Sequence, residues 1–117
     1  MPLHAADSTT TTPESLCDAS EQYLIFYSSI VGLQMWCPDC RNVEDLVKRT
    51  FEGDDAPSAL IVYTGDFPTW KSPSNVFRGR PWVIQSVPTI VKIQNGKEVE
   101  RLVDSEITPG LARFVSF

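Results

Sequence analysis

The sequence predicts an α/β domain built on a mixed β-sheet with helices on both faces. Three observations lead there. Tyr23-Leu24-Ile25-Phe26-Tyr27-Ser28 is an unbroken apolar and aromatic run, the pattern of a central strand covered on both sides. After Pro38, the apolar positions Val43, Leu46, Val47 and Phe51 recur at helical spacing, opposite a polar face of Arg41, Glu44, Asp45, Lys48 and Arg49. Asn95-Gly96 divides two strand-like runs, a strong short-range hairpin signal.

The elements follow in order. Residues 1–12 form a polar lead-in whose low-complexity end, Ser8 to Thr12, is expected to order poorly, and residues 13–117 form the domain. Thr12-Pro13-Glu14 reads as a helix start, with a hydroxyl cap, proline at the first helical position and an acid in the first turn. That helix is short, with Leu16 and Ser20 on one face and Cys17 beside them. The strand from Tyr23 and the helix from Pro38 follow, the latter ended by Gly53. Ala59-Leu60-Ile61-Val62-Tyr63 is a second buried strand, and Ser72-Pro73 opens a short helix through Phe77. Thr89 to Ile93 and Lys97 to Val103 flank the hairpin turn. Thr108-Pro109 starts a last helix that packs Leu111, Phe114 and Val115 on the sheet. Two parallel crossovers followed by an antiparallel hairpin make the sheet mixed.

The chain has 117 residues, one domain's worth, with no internal repeat. A domain of this size buries about two-thirds of the surface its unfolded chain exposes, so metal or disulfide staples are not required. Ten basic and 15 acidic residues give a charge of −5, which argues against a nucleic-acid partner. No apolar run approaches the roughly 20 residues of a membrane-spanning helix. The first residues lack a basic start and a continuous apolar stretch, so no cleaved secretory signal is expected. The expectation is a soluble cytoplasmic monomer without membrane partners.

Three cysteines, Cys17, Cys37 and Cys40, are too few and odd in number for a disulfide framework. The single histidine, His4, and the lack of a second cysteine pair argue against a structural zinc site, and no metal is expected. Cys17 reads as a small apolar residue. The informative segment is Trp36-Cys37-Pro38-Asp39-Cys40. Pro38 suits a first helical turn, which puts Cys37 at the N-cap, facing unpaired backbone N–H groups and the positive end of the helix dipole. Both favour the thiolate, the form that attacks disulfides. Cys40, one turn on, is within reach to close a Cys37–Cys40 disulfide and release a reduced substrate. Met35-x-Cys37-x-x-Cys40 also matches the M-x-C-x-x-C pattern of copper(I)-binding modules, since thioether and thiolates suit that ion. Lys71, Arg78 and Arg80 are candidates for a local positive patch.

Strand, W-C-x-x-C, helix and then Val87-Pro88-Thr89 before a hairpin together resemble the thioredoxin fold. With Trp70-Lys71-x-Pro73-x-Asn75-x-Phe77-Arg78, the details are closest to the branch of 14-kDa thioredoxin-related proteins, over about Tyr23 to Ile93. The resemblance implies an oxidoreductase of cystine-like small disulfides and selected protein disulfides. Such a protein binds no cofactor itself and is recharged by thioredoxin reductase with NADPH. It implies Cys37 as nucleophile, Cys40 as resolving thiol, Pro88 as a cis-proline exposing the Val87 backbone to substrate, and Trp36 as a shield. Trp70 and Lys71 are implied substrate contacts. Two departures from the family stand out. Ile30-Val31-Gly32-Leu33-Gln34-Met35 is shorter and more apolar than the usual loop, which bears on partner choice. The buried aspartate of thioredoxins, which helps deprotonate the resolving cysteine, aligns with Phe26, leaving Asp39, Glu44 or water as proton acceptor. A glutathione-coupled, glutaredoxin-like enzyme is the nearest rival, but the Gly-Gly and acidic pair that hold glutathione are missing after Thr89.

Overall fold

The computed structural model describes residues 3–116; Met1, Pro2 and Phe117, the outer ends of the expected lead-in and domain, lie outside them. In chain order the strands are β1 (Leu3–Ala5), β2 (Tyr23–Tyr27), β3 (Ile30–Val31), β4 (Gln34–Met35), β5 (Ala59–Tyr63), β6 (Thr89–Gln94) and β7 (Lys97–Val103). The helices are α1 (Pro38–Phe51), α2 (Phe67–Lys71) and α3 (Ile107–Phe114), joined by short 3-10 turns at Ser15–Asp18, Val76–Arg78 and Asp104–Glu106.

The main sheet has the order β1-β5-β2-β6-β7, and β3 and β4 form a separate two-stranded ribbon. The apolar run at Tyr23 becomes the middle strand, every residue of which is buried. β2 pairs parallel to β5 in the register Tyr23↔Ala59 to Tyr27↔Tyr63, and antiparallel to β6. The sheet is therefore mixed, as expected, but only one of the two expected crossovers returns parallel. The chain re-enters at β6 in the opposite sense, and the second parallel pairing comes from β1 against β5.

β1 also revises the picture of the lead-in. Leu3, His4 and Ala5 pair with Ala59, Leu60 and Ile61. The threonines that follow wrap Asp7, whose carboxylate accepts from the Thr9 amide at 2.9 Å and hydroxyl at 2.6 Å. A three-residue edge strand is held by backbone pairing, which a polar, low-complexity composition does not reveal. Thr12 does cap the next turn, its Oγ1 accepting from the Ser15 amide at 3.0 Å, but the expected helix is a single 3-10 turn.

Alternation along β2 sorts the two faces of the core. Tyr23 packs its ring on Phe51 of α1 at 5.2 Å and on Phe114 of α3 at 5.6 Å. Ile25 and Tyr27 share that face. Phe26 points the other way, onto Phe77 at 5.9 Å and Trp82 at 6.3 Å. The apolar stripe of α1 (Cys40, Val43, Val47, Phe51) covers the first face, each side chain contributing about 1.5–3 kcal/mol for a large aliphatic or aromatic residue. The second face is closed by Trp70, Phe77, Trp82 and Ile84, with Trp82 Nε1 donating to the Pro13 carbonyl at 2.8 Å.

The hairpin forms at Asn95-Gly96, both left-handed (φ 56° and 77°), the geometry that a two-residue primed turn demands. A Cβ on Gly96 would lie 2.8 Å from the Cys17 carbonyl oxygen, so glycine is needed there for space as well. The expected helix from Ser72 to Phe77 is replaced by two pieces. α2 begins earlier, capped by Asp66, which accepts from the Thr69 amide at 3.0 Å. The Val76–Arg78 turn is capped by Asn75, whose Oδ1 accepts from the Phe77 amide at 3.0 Å. The two segments carry separate caps, and Trp70 and Phe77 are both buried.

Candidate functional site

The chain leaves β2 at Tyr27, makes the β3–β4 ribbon, and enters α1 through Trp36-Cys37-Pro38. The expected apolar loop is this ribbon: Gly32 turns it with φ 70°, while Ile30 and Val31 are more than half exposed and Leu33 fully so. Met35 turns inward and is 2% exposed.

Cys37 is the N-cap of α1, with φ −86° and ψ 120°, and Pro38 fills the first helical position. Its amide donates to Ser28 Oγ at 3.1 Å and its carbonyl accepts from the Arg41 amide at 3.2 Å. Its thiol points across the site to the Val87 carbonyl, 3.8 Å away. The Val87–Pro88 bond is cis, as is Arg80–Pro81, and both Val87 and Pro88 are buried. All three cysteines are thiols, with Cys17 half-buried beside the core.

Cys40 lies one turn into α1, with no exposed surface, and its sulfur accepts from the Ser28 amide at 3.4 Å. Burial pushes its thiol up to about 12, against the opposing pull of the Ser28 hydrogen bonds, while the neighbouring Cys37 adds to the rise. The two sulfurs thus differ in kind: one caps a helix and faces the Val87 carbonyl, the other is fully buried one turn behind it.

Trp36 is held on three sides. Its amide donates to Ser29 at 3.3 Å, its Nε1 to the Gly65 carbonyl at 2.8 Å, and its ring meets Phe67 edge-on at 5.2 Å. Arg41 Nη1 donates to the carbonyls of Met35 at 2.7 Å and Trp36 at 3.3 Å, tying the ribbon's end to α1. Asp39 is exposed in the first turn.

The family segment divides by role. Trp70 is 3% exposed, its ring covered by the Arg78 guanidinium at 3.9 Å, which leaves it no face for a substrate. Lys71 is exposed, with Nζ 5.6 Å from the centre of the Phe67 ring. Asn75 Nδ2 donates to the carbonyls of Thr64 at 2.9 Å and Thr69 at 3.2 Å. This binds the segment to the loop that carries Gly65 and so to Trp36. Arg78 also donates to the Trp70 carbonyl at 2.8 Å, so it is a structural clasp and does not join Lys71 and Arg80 in a free positive patch.

Phe26 lies on the face turned away from α1, packed on Phe77 and Trp82, so a side chain there cannot reach Cys40. The residue of β2 that stands on the α1 side at the level of the cysteines is Tyr27, next to Ser28. Ser28, Arg41, Gly65, Phe67 and Tyr27 were not singled out from sequence. Of these only Arg41, four residues after Cys37 on a helix, carried a positional signal.

Residues 4–111 match the family model of the thioredoxin domain of thioredoxin domain-containing protein 17-like proteins. The chain belongs to this family. It is 37% identical over 79 residues to the thioredoxin-like protein Clot of Oryza sativa, covering 62% of this chain and 57% of that protein. It is 32% identical over 81 residues to human thioredoxin domain-containing protein 17, covering 68% and 62%. The matched segments thus span less than two-thirds of these relatives. Among solved structures it is similar in fold to Chlamydomonas reinhardtii thioredoxin f2, with a TM-score of 0.59 at 22% identity over 96% of this chain and 93% of that one. Trxlp of Edwardsiella tarda gives a TM-score of 0.58 at 20% identity over 98% and 99%. No helix among the described residues is long and apolar enough to cross a membrane.

Proposed function

We propose that this chain is a disulfide reductase. Cys37 attacks a substrate disulfide, Cys40 displaces the reduced substrate by closing a Cys37–Cys40 disulfide, and thioredoxin reductase restores the dithiol at the expense of NADPH. The observation that supports it is the asymmetry of the pair. Cys37 caps α1 and faces the Val87 carbonyl, while Cys40, one turn on, is buried and neutral at physiological pH. Cys37, at the start of α1 and facing the Val87 carbonyl, is the sulfur placed to react first. The buried one reacts second, on a disulfide already brought to it.

The carbonyl of Val87, before Pro88, is the natural acceptor for a backbone N–H of an incoming disulfide-bearing peptide. Trp36 shields the thiol, and Lys71 stands exposed at the rim. A solved neighbour, thioredoxin f2, is seen in complex with ferredoxin:thioredoxin reductase, which makes a reductase partner a reasonable expectation for a similar fold. Substrates are cystine-like small disulfides and selected protein disulfides, and the compartment is the cytoplasm.

The test is chemical. Air- or diamide-oxidised protein, alkylated and digested, should yield a peptide linked through Cys37 and Cys40, with Cys17 alkylated. Cys40→Ser, exposed to a disulfide substrate, should accumulate a mixed disulfide on Cys37. A linkage through Cys17 instead, or no adduct on Cys37, would rule the proposal out.

A further inference from the structure

Resting on the exchange reaction just proposed, the resolving step requires Cys40 Sγ to be held against Cys37 and to react as a thiolate. Cys40 has no exposed surface, so burial works against its charged form and water does not solvate it. Donors from the protein must stand in for water at that sulfur.

Ser28 lies between the two cysteines. It follows the last residue of β2, is itself fully buried, and hydrogen-bonds to both. Its amide donates to Cys40 Sγ at 3.4 Å. Its Oγ accepts from the Cys37 amide at 3.1 Å, which occupies one lone pair and leaves the hydroxyl hydrogen to donate. The Ser28 side chain is also a hydrogen-bond neighbour of the Cys40 sulfur, so one residue brings an N–H and an O–H to one sulfur. Cys37 is a further neighbour, and in the dithiol both its hydrogen bond and its charge oppose ionisation of Cys40. That opposition ends once Cys37 is bound in a mixed disulfide, which carries no charge on its sulfurs. The Ser28 donors remain.

We propose that Ser28 is a catalytic residue of the resolving step: its amide and hydroxyl stabilise the Cys40 thiolate while its Oγ, bound to the Cys37 amide, holds the two cysteines in register. In the mixed disulfide Cys40 gives its proton to solvent water, and the thiolate attacks Cys37 Sγ. The Cys37–Cys40 bond forms and the bond from Cys37 to the substrate sulfur breaks. The substrate leaves as a thiolate with that bonding electron pair and takes up a proton from solvent. The dithiol has lost two electrons and the substrate disulfide has gained them. The other titratable and charged groups around Cys40 are Asp39 and Glu44 of α1, and Arg41, turned to the Met35 and Trp36 carbonyls. Tyr27 of β2 faces it too, with a phenol that burial holds protonated, and Tyr63 of β5 lies beyond.

The experiment is stopped-flow reaction with 5,5′-dithiobis(2-nitrobenzoate) in a Cys17→Ser background. The first chromophore release reports attack by Cys37, and the second reports attack by Cys40, rising with pH as Cys40 ionises. Ser28→Ala should leave the first release within about threefold. It should slow the second about tenfold or more between pH 6 and 9, which displaces the profile upward by about one pH unit. Ser28→Thr, which keeps the hydroxyl, should bring the second release back to within about threefold of the parent. A second release in Ser28→Ala with the parent's rate and pH profile overturns the proposal. Equal slowing of both releases, or Ser28→Thr as slow as Ser28→Ala, overturns it as well, because either marks a packing defect. If the parent protein itself gives no paired release, the exchange reading fails instead, so the two failures are distinguishable.

Discussion

Asn75 joins the family segment to the loop beneath the site, and removing its side chain measures that joint. In Asn75→Ala, two donated hydrogen bonds, to Thr64 at 2.9 Å and Thr69 at 3.2 Å, and one accepted from Phe77 at 3.0 Å are lost together. Asn75 is 8% exposed and Thr64 3%, so water replaces these partners poorly. At about 0.5–1.5 kcal/mol net for each bond, the loss is about 3 kcal/mol. With a urea dependence of about 1.5 kcal/mol/M, the unfolding midpoint should fall by about 2 M. Urea titration followed by far-UV circular dichroism reads it directly. Asn75→Asp, which keeps the acceptor for Phe77 and loses the donors, should fall between. A midpoint shift below about 0.5 M for Asn75→Ala, with unchanged slope, would refute the claim that this side chain braces the loop.

Three further outcomes follow from the same geometry. Gly96→Ala forces a left-handed alanine and sets a methyl 2.8 Å from the Cys17 carbonyl, so thermal melting should show a loss of about 1–3 kcal/mol. Phe26→Asp places a carboxylate among Phe77 and Trp82. It should cost more than about 4 kcal/mol in denaturant titration, without speeding the Cys40 step, whereas an accelerated step would show that this position does reach the thiol. Burial pushes the folded Cys40 thiol up to about 12 from the ordinary thiol value of 9.0, so the stability of the reduced protein is fully present below pH 9. Above it the unfolded chain releases the proton first, and stability falls by up to about 1.4 kcal/mol per pH unit toward pH 12. Cys40→Ala should lack this share of the slope in unfolding measured from pH 8 to 10.5, and an identical slope would contradict it.

The parts of the fold that could be read from sequence are those in which one strong local pattern decides. β2 is an apolar run, α1 an amphipathic stripe behind a proline, and the hairpin an Asn-Gly pair with both residues left-handed. The region from Thr64 to Arg78 was less legible. Asp66-Phe67-Pro68 and Ser72-Pro73 carry similar helix-start signals, and the structure uses the first, with the Asp66 side chain as its cap. β1 was invisible because three backbone pairings at a sheet edge leave no compositional trace.

The site divides in the same way. Cys37 and Cys40 were legible from spacing and the helix start, since capping geometry is local. Their supporting groups come from elsewhere in the chain. Ser28 and Gly65 act through main-chain and hydroxyl contacts with no sequence signature. Phe26, aligned with the buried aspartate of thioredoxins, packs on the face away from α1. Neighbouring residues of a strand point to opposite faces, so Phe26 and Tyr27 lie on different sides of the sheet.

The most direct test of the central claim is NADPH consumption in the presence of thioredoxin reductase and cystine, comparing the protein with its Cys37→Ser variant. Turnover with the parent chain and none with the variant is the predicted result. Equal rates for both, or no turnover from folded protein with an active reductase, would contradict reductase-linked exchange through Cys37.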